Sequence, residues 1–217
     1  LTPFVVLSDV LIIDQENNEI IKSDEIKIGL KIIKSLLNGY IDLNTLSITN
    51  VEFLNGTTSK TSNGIYRINI SNLHIHSNQF IFSTRNTEIF SREGNLSIYN
   101  KDGKINNIPF KELSVFNKAE SGFYQYLAFF ELDENIIEKE ELINLDEFYD
   151  KKISLYLSSK GYFDSKQNKI TSINKYIFNN SSLVTESNYE IQDVEAVLYT
   201  NIDQNLSGLF SAKIPDQ

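Results

Sequence analysis

The feature that most constrains this chain is a strict two-residue alternation near its start. Apolar residues occupy every second position of residues 26–32, with lysine and glycine between them. Because successive side chains of a strand point to opposite faces, this pattern predicts a strand with one apolar and one wet face. The alternation returns in residues 66–70 and 153–157. The sequence therefore predicts a mainly β fold, a curved and largely antiparallel sheet with an apolar inner face and one or two short helices.

Residue usage supports strands and excludes several function classes. The chain has 29 Ile and 25 Phe plus Tyr but four Ala, and β-branched and aromatic residues favour pleated surfaces. A net charge of −9 with three arginines gives no clustered basic face, which argues against a nucleic-acid partner. Without cysteine there is no disulfide, thiolate nucleophile or cysteine-based metal site. The lack of any methionine predicts a segment of a longer chain.

Local signals divide the chain further. Residues 4–14 are apolar on both faces and predict a strand whose two sides are both at least partly covered, followed by a turn at residues 15–18. Helical spacing in residues 31–38, closed by Gly39, predicts a short amphipathic helix, and a phase slip near Asn50 predicts a bulge. Turns are predicted at residues 93–95 and 100–103. The acid-rich segment at residues 133–152 favours a solvated helix or an acidic loop. Residues 56–64 predict a long loop, which separates an entry module (residues 1–54) from a continuing β-sheet segment (residues 55–217).

A search for catalytic motifs finds none. His74 and His76 would share one face of a strand, but two exposed histidines that bind nothing are the preferred interpretation. Residues 164–168 lack the glycine and glutamate that a calcium loop needs. A glycosidase-like carboxylate pair stays open, since nothing singles one out. We therefore expect no enzyme activity, no cofactor and no metal.

What remains is the strand pattern, for which two interpretations stand. A core shared by two sheets would make the chain a β-sandwich, such as a surface or adhesin-like interaction module. A curled sheet with an open apolar side would instead form a groove for an acyl-chain ligand. The residues expected to line that groove are Ile26, Ile28, Leu30, Ile32, Leu46, Ile48, Ile68, Ile70, Leu96, Ile98, Leu113, Val115, Leu155 and Leu157.

The order of these elements resembles the AsmA/YhdP-like family of bacterial envelope proteins. The similar segments include a Pro-led strand ending in aspartate, an alternating strand, a "Ser-Leu-Leu-x-Gly" helix and a "Leu-x-Ile-x-x-x-x-Phe" strand, at residues 3–14, 23–30, 35–39 and 46–53. Further similar segments lie at residues 94–103, 109–116 and 153–161, although the family often has a Trp before the last of these. The resemblance covers roughly the first 160 residues.

This resemblance implies a periplasmic protein anchored in the inner membrane by a helix upstream of the segment. It further implies phospholipid transport toward the outer membrane through an elongated apolar β-groove, without catalytic residues. The helix at residues 31–38 would cap or buttress the sheet near the membrane. Because a net charge of −9 does not suit docking on anionic lipid, the membrane contact is expected through the anchor outside this segment.

Overall fold

The computed structural model describes residues 3–13, 19–53, 65–117, 123–140, 148–164, 169–185, 190–200 and 205–213. Its strands are β1 Phe4–Ile13, β2 Glu19–Leu30, β3 Ile41–Phe53, β4 Tyr66–Ser77, β5 Ile81–Arg92, β6 Asn95–Ile105, β7 Ile108–Asn117, β8 Phe123–Asp133, β9 Phe148–Lys152, β10 Ser154–Asp164, β11 Lys169–Thr185, β12 Glu190–Thr200 and β13 Leu206–Lys213. The two helices are α1 Ile32–Asn38 and α2 Glu134–Lys139. The predicted mainly β fold is confirmed.

All these strands belong to one sheet, and their order in space follows the chain. The exception is β9, which lies off this path and pairs with β11. The pairs are antiparallel except β3 with β4, which run parallel. β1 and β13 are the two ends of the order, so the described sheet is open and not closed on itself. The core is therefore not one shared by two packed sheets.

The sheet is continuous across the predicted boundary near residue 55, because β3 pairs with β4 over eight register positions. The predicted loop at residues 56–64 and the predicted turn at residues 15–18 lie outside the described residues. A parallel pair needs a connection that returns to the starting end of the sheet. That requirement explains why a long segment separates β3 from β4, whereas short turns separate β5, β6 and β7.

One predicted hairpin turn is correct and another is wrong. Glu93 and Gly94 take left-handed dihedrals (φ 51° and 78°) and join β5 to β6, as expected. Residues 100–103, in contrast, lie inside β6, where Asp102 is left-handed (φ 51°) within the strand. The turn that closes β6 is at Asn106 (φ 54°). Asp and Asn tolerate this conformation in a bulge as well as in a turn, so Asp-Gly alone did not distinguish them.

Left-handed Asp and Asn residues also lie inside β1, β3 and β12, at Asp9, Asn50 and Asp193. The bulge predicted near Asn50 is present, since the register of β3 against β4 shifts between Ile48 and Val51. Bulges bend a strand and increase its twist, and they change which side chains face inward. The sheet curves with their help, because side chains such as Ile70 (2% exposed) could not be buried in a flat single layer.

The first strand is less covered than the strands that follow it. Among the described strands β1 lies at the edge and pairs with β2 alone. Apart from Val10, its large apolar side chains on both faces are 40% to 62% exposed. An apolar run does not distinguish a strand covered on both sides from one at an open edge, because neither pattern alternates.

Candidate lipid-binding face

The strand register collects the predicted groove residues on one side of the sheet, which we call the inner face. Ile26 pairs with Ile48, and Ile28 pairs with Leu46. Ile68 connects through Ile89 to Ile98, which pairs with Val115. The same relations place Leu30, Ile70, Leu96, Leu113, Leu155 and Leu157 on this face.

Ile32 is the one candidate that does not belong to the inner face. It is the first residue of α1, where its side chain is 50% exposed. The alternation of residues 26–32 predicted a strand residue at this position. An apolar residue at position 32 fits both the two-residue period of the strand and the helical spacing that follows. The alternation therefore continued one step past the end of β2.

The inner face is packed in two places. Leu43, Ile70 and Leu73 form a buried cluster in the first half of the sheet. Partly buried neighbours surround that cluster: Ile28, Leu30, Leu46, Ile68, Ile75, Phe82 and Ile89. In the second half, Leu132, Ile153 and Leu155 are buried together with Ile137 of α2. These clusters account for the stability of the sheet and leave little of their own surface to a ligand.

A row of partly exposed apolar side chains lies beside the buried clusters on the inner face. Ile68, Ile89, Ile98, Val115 and Tyr126 are successive register partners across β4 to β8, and each is half-buried. A ligand chain lying across the strands would contact all of them. This row is one of the partly accessible parts of the predicted groove.

A buried polar row, which sequence reasoning missed, interrupts the inner face. The hydroxyl of Thr87 donates to Asn100 Oδ1 (2.9 Å), and the Asn100 amide donates to the Leu113 carbonyl (3.1 Å). Thr84 donates to the carbonyl of Lys101 (2.8 Å), next to the left-handed Asp102. These groups satisfy one another, so they need no ligand. Asn100 continues the alternation of Leu96 and Ile98, and this pattern could have identified it.

Along this polar row, the positions whose side chains point to the inner face shift by one residue in each strand. Ile70 and Leu73 are both buried although they lie three residues apart, and their register partners Thr87 and Thr84 are both buried as well. The shift thus crosses neighbouring strands together, which keeps one continuous inner face on both sides of it. A simple two-residue pattern could not have predicted this step.

The opposite, outer face is less polar than expected. A cavity of about 820 Å³ at the β6–β10 end of the sheet is lined by Phe116, Phe123 and Tyr162, with Ser97 and Gln125 among its polar groups. Register places Ser97, Phe116, Gln125 and Tyr162 on the outer face, opposite the row that contains Ile98. An apolar ligand would therefore have a second surface to contact, and a test of the inner face must separate the two.

The histidines lie where the sequence placed them. His74 and His76 are both exposed on β4, and His74 lines a cavity of about 920 Å³ whose other charged residues include both bases and acids. Among the described residues no three His, Asp or Glu side chains are grouped to hold a metal ion. That His74 and His76 bind nothing stays a prediction.

Helix α1 is attached to the sheet by polar contacts around one buried carboxylate. Asp42 is 1% exposed, with Lys34 Nζ 2.9 Å from its Oδ2 and Lys31 Nζ 3.5 Å from its Oδ1. The Ser35 hydroxyl accepts from the Asp42 amide (2.9 Å) and donates to the Asp42 carbonyl (3.3 Å). The hydrogen bond and charge of Asp42 raise the pKa of Lys34 above its usual value. Asp42 alternates with the inner residue Leu43, so α1 lies on the outer-face side and does not cap the groove.

No family model matches the chain, and neither the curated proteins nor the solved structures include a match. The resemblance to the AsmA/YhdP-like family therefore stays a prediction. Of the helices that the structure describes, none is long and apolar enough to cross a membrane.

Proposed function

We propose that this chain is a non-enzymatic lipid-handling segment whose inner face holds the acyl chains of a phospholipid. The observation that carries the proposal is one open sheet whose inner face carries apolar side chains on both sides of the buried polar row, in strands from β2 to β11. The row Ile68, Ile89, Ile98, Val115 and Tyr126 keeps part of its apolar surface accessible, as a ligand path requires.

The biological setting follows from the resemblance and is part of the same proposal. As in the AsmA/YhdP-like family, the segment would belong to an inner-membrane-anchored periplasmic protein that moves phospholipid toward the outer membrane. An open sheet in which each strand continues the apolar face of the last suits such a conduit. The self-satisfied polar row would not hold a passing headgroup, because its donors and acceptors are already paired.

The test compares two adjacent residues on opposite faces of β6. Ile98→Asp places a carboxylate in the accessible row, where an unpaired charge against hydrocarbon costs several kcal/mol, about enough to exclude lipid. Ser97→Asp, one residue earlier, places the same charge on the outer face. Phospholipid that co-purifies with each variant is measured by mass spectrometry, and the melting temperature is measured in parallel. We expect Ile98→Asp to lose lipid and Ser97→Asp to keep it.

A milder variant protects the test from simple unfolding. Val115→Thr keeps nearly the same volume but adds a hydroxyl beside Ile98. It should lower lipid occupancy while the protein stays folded. If the parent protein carries no lipid, the lipid-handling proposal is wrong, and an interaction module or a carbohydrate-active enzyme remains as the alternative. If Ser97→Asp alone loses lipid, the ligand binds the outer face and the inner-face proposal is wrong.

A further inference from the structure

One end of the first four strands carries a concentration of exposed apolar side chains. β1 begins there, α1 joins β2 to β3 there, and the parallel strand β4 also begins there. We call this the apolar end and define it by six residues that are 53% to 81% exposed: Phe4, Ile33, Leu36, Leu37, Ile65 and Tyr66. Such clustering on a chain surface marks an interaction site.

Helix α1 turns its polar side, and not its apolar side, toward the sheet. Lys31, Lys34 and Ser35 turn toward Asp42 of β3, and no residue of the helix is buried. Leu36 and Leu37 are consequently 79% and 81% exposed. Polar contacts thus hold the helix in place while its apolar side faces solvent.

The charge at this end is opposite to that of the chain. Lys27, Lys31, Lys34 and Arg67 lie beside the apolar end, and Lys27 Nζ is 4.9 Å from the centre of the Phe4 ring. Of the acids that pair with these cations, Asp42 is buried against two lysines and Glu88 is held by Arg67 at 2.7 Å. Cations therefore outnumber acids here, although the whole chain has a net charge of −9. A surface of this kind complements an anionic partner.

We propose that the apolar end binds the surface of an anionic phospholipid bilayer, with α1 lying in the interface. Large aliphatic side chains on one side of a helix, flanked by lysines and by a tyrosine, are the composition of interfacial helices. The proposal rests on the lipid-handling function and extends it by assigning the end of the sheet where lipid exchanges. The proposal replaces the expectation, drawn from the net charge of the chain, that this segment does not dock on anionic lipid. Within a Debye length of the membrane, the local charge of the surface acts and not the total charge of the chain.

The experiment measures co-sedimentation of the 217-residue chain with vesicles. Vesicles of phosphatidylcholine with about a third phosphatidylglycerol are compared with phosphatidylcholine alone, at low and high salt. The variant is Leu36→Asp with Leu37→Asp. Its matched control is Leu209→Asp in β13, since Leu209 is also 81% exposed but belongs to the other edge of the sheet.

We expect the parent to bind the anionic vesicles and to be released by salt. The double variant should lose about tenfold or more of this binding, and Leu209→Asp should stay within about twofold of the parent. The proposal is overturned if the parent does not bind, if the double variant binds as well as the parent, or if the vesicle charge makes no difference. It is also overturned if the double variant abolishes a dimer of the free protein, because a second copy would then cover this surface.

The two proposals fail separately. Ile98→Asp should lose co-purified phospholipid and still bind vesicles, whereas the double variant should keep its phospholipid and fail to bind. Loss of vesicle binding in Ile98→Asp with a normal melting temperature would mean that docking depends on groove lipid, which contradicts a site on α1.

Discussion

The two short helices that the structure describes use their apolar residues in opposite ways. In α2, Ile137 is fully buried and packs with Leu132, Ile153 and Leu155 of the inner face. In α1, the residues Ile33, Leu36 and Leu37 are each more than three-quarters exposed. One helix completes the core, and the other presents an apolar surface.

The difference comes from what the sheet offers at each junction. At the start of α2, Asp133 caps the helix by accepting from the Ile136 amide (3.0 Å), which directs the next turn onto the inner face. At α1, no side chain caps the N-terminus, and the buried Asp42 attracts the lysine side of the helix instead. An amphipathic sequence therefore predicts a helix but not which of its sides meets the fold.

The largest expected loss of stability is at Ile137, and its measurement tests the difference between the two helices. We expect Ile137→Ala to lower the free energy of unfolding by about 2–5 kcal/mol, because it opens a cavity at a fully buried site. Leu37→Ala, at an exposed site, should stay within about 0.5 kcal/mol. Urea denaturation of both variants measures this. Equal losses would show that α1 is packed as firmly as α2.

Next in size is the carboxylate that holds α1. Asp42→Asn keeps the volume but removes the charge that two lysines share, and should cost about 1–3 kcal/mol. The loss should be local, since the backbone contacts with Ser35 remain. Hydrogen exchange should therefore accelerate in α1 and not in α2. Uniform acceleration across the sheet would contradict a local anchoring role.

A smaller effect is expected at the cap of α2. Asp133→Ala removes the acceptor for the Ile136 amide and should cost about 1 kcal/mol. Asp133→Asn, which can still accept, should restore most of it. Thermal unfolding followed by circular dichroism measures both variants, and no difference between them would mean that the cap does not direct α2.

The smallest effect is a pH dependence confined to α1. Because the folded-state pKa of Lys34 is raised above 10.5, its pair with Asp42 contributes fully below pH 10.5 and is lost as the pH rises through the folded value. The Lys34→Gln variant should therefore differ from the parent at pH 7 and converge with it in strongly alkaline solution. High salt should reduce the difference at pH 7, since the pair is exposed on the lysine side. A difference that persisted unchanged above the folded pKa would exclude this ion pair as its cause.

Much of the fold could be predicted from residue pattern because strand period and face are local properties. The alternation around Ile28 and the series of strands follow directly from it, as does the helix ending at Gly39, whose φ is 70°. The register relations then placed on one face every groove candidate that lies in a strand. Local sequence determined these features, so no knowledge of distant residues was needed.

What could not be predicted depends on non-local partners or on choices that the residues leave open. Asp102 is left-handed inside β6 although Asp-Gly suits a turn equally well. Burial of Thr87 and Asn100 depends on their mutual hydrogen bond across two strands. The exposure of Leu36 follows from Asp42, which lies in the next element. Each case is decided by a neighbour across the sheet, which a single-sequence pattern does not contain.

The order of strands has a consequence for how the molecule unfolds. Each described strand from β1 to β7 pairs only with its neighbours in the sequence, so this part of the sheet is a linear array in which stability adds up between nearest neighbours. In such an array cooperativity is limited by the weakest link. The parallel β3–β4 pair, whose connection must return to the starting end of the sheet, is where two cooperative units would separate. An unfolding curve with two transitions, and a fragment starting at β4 that folds alone, would follow from the same topology.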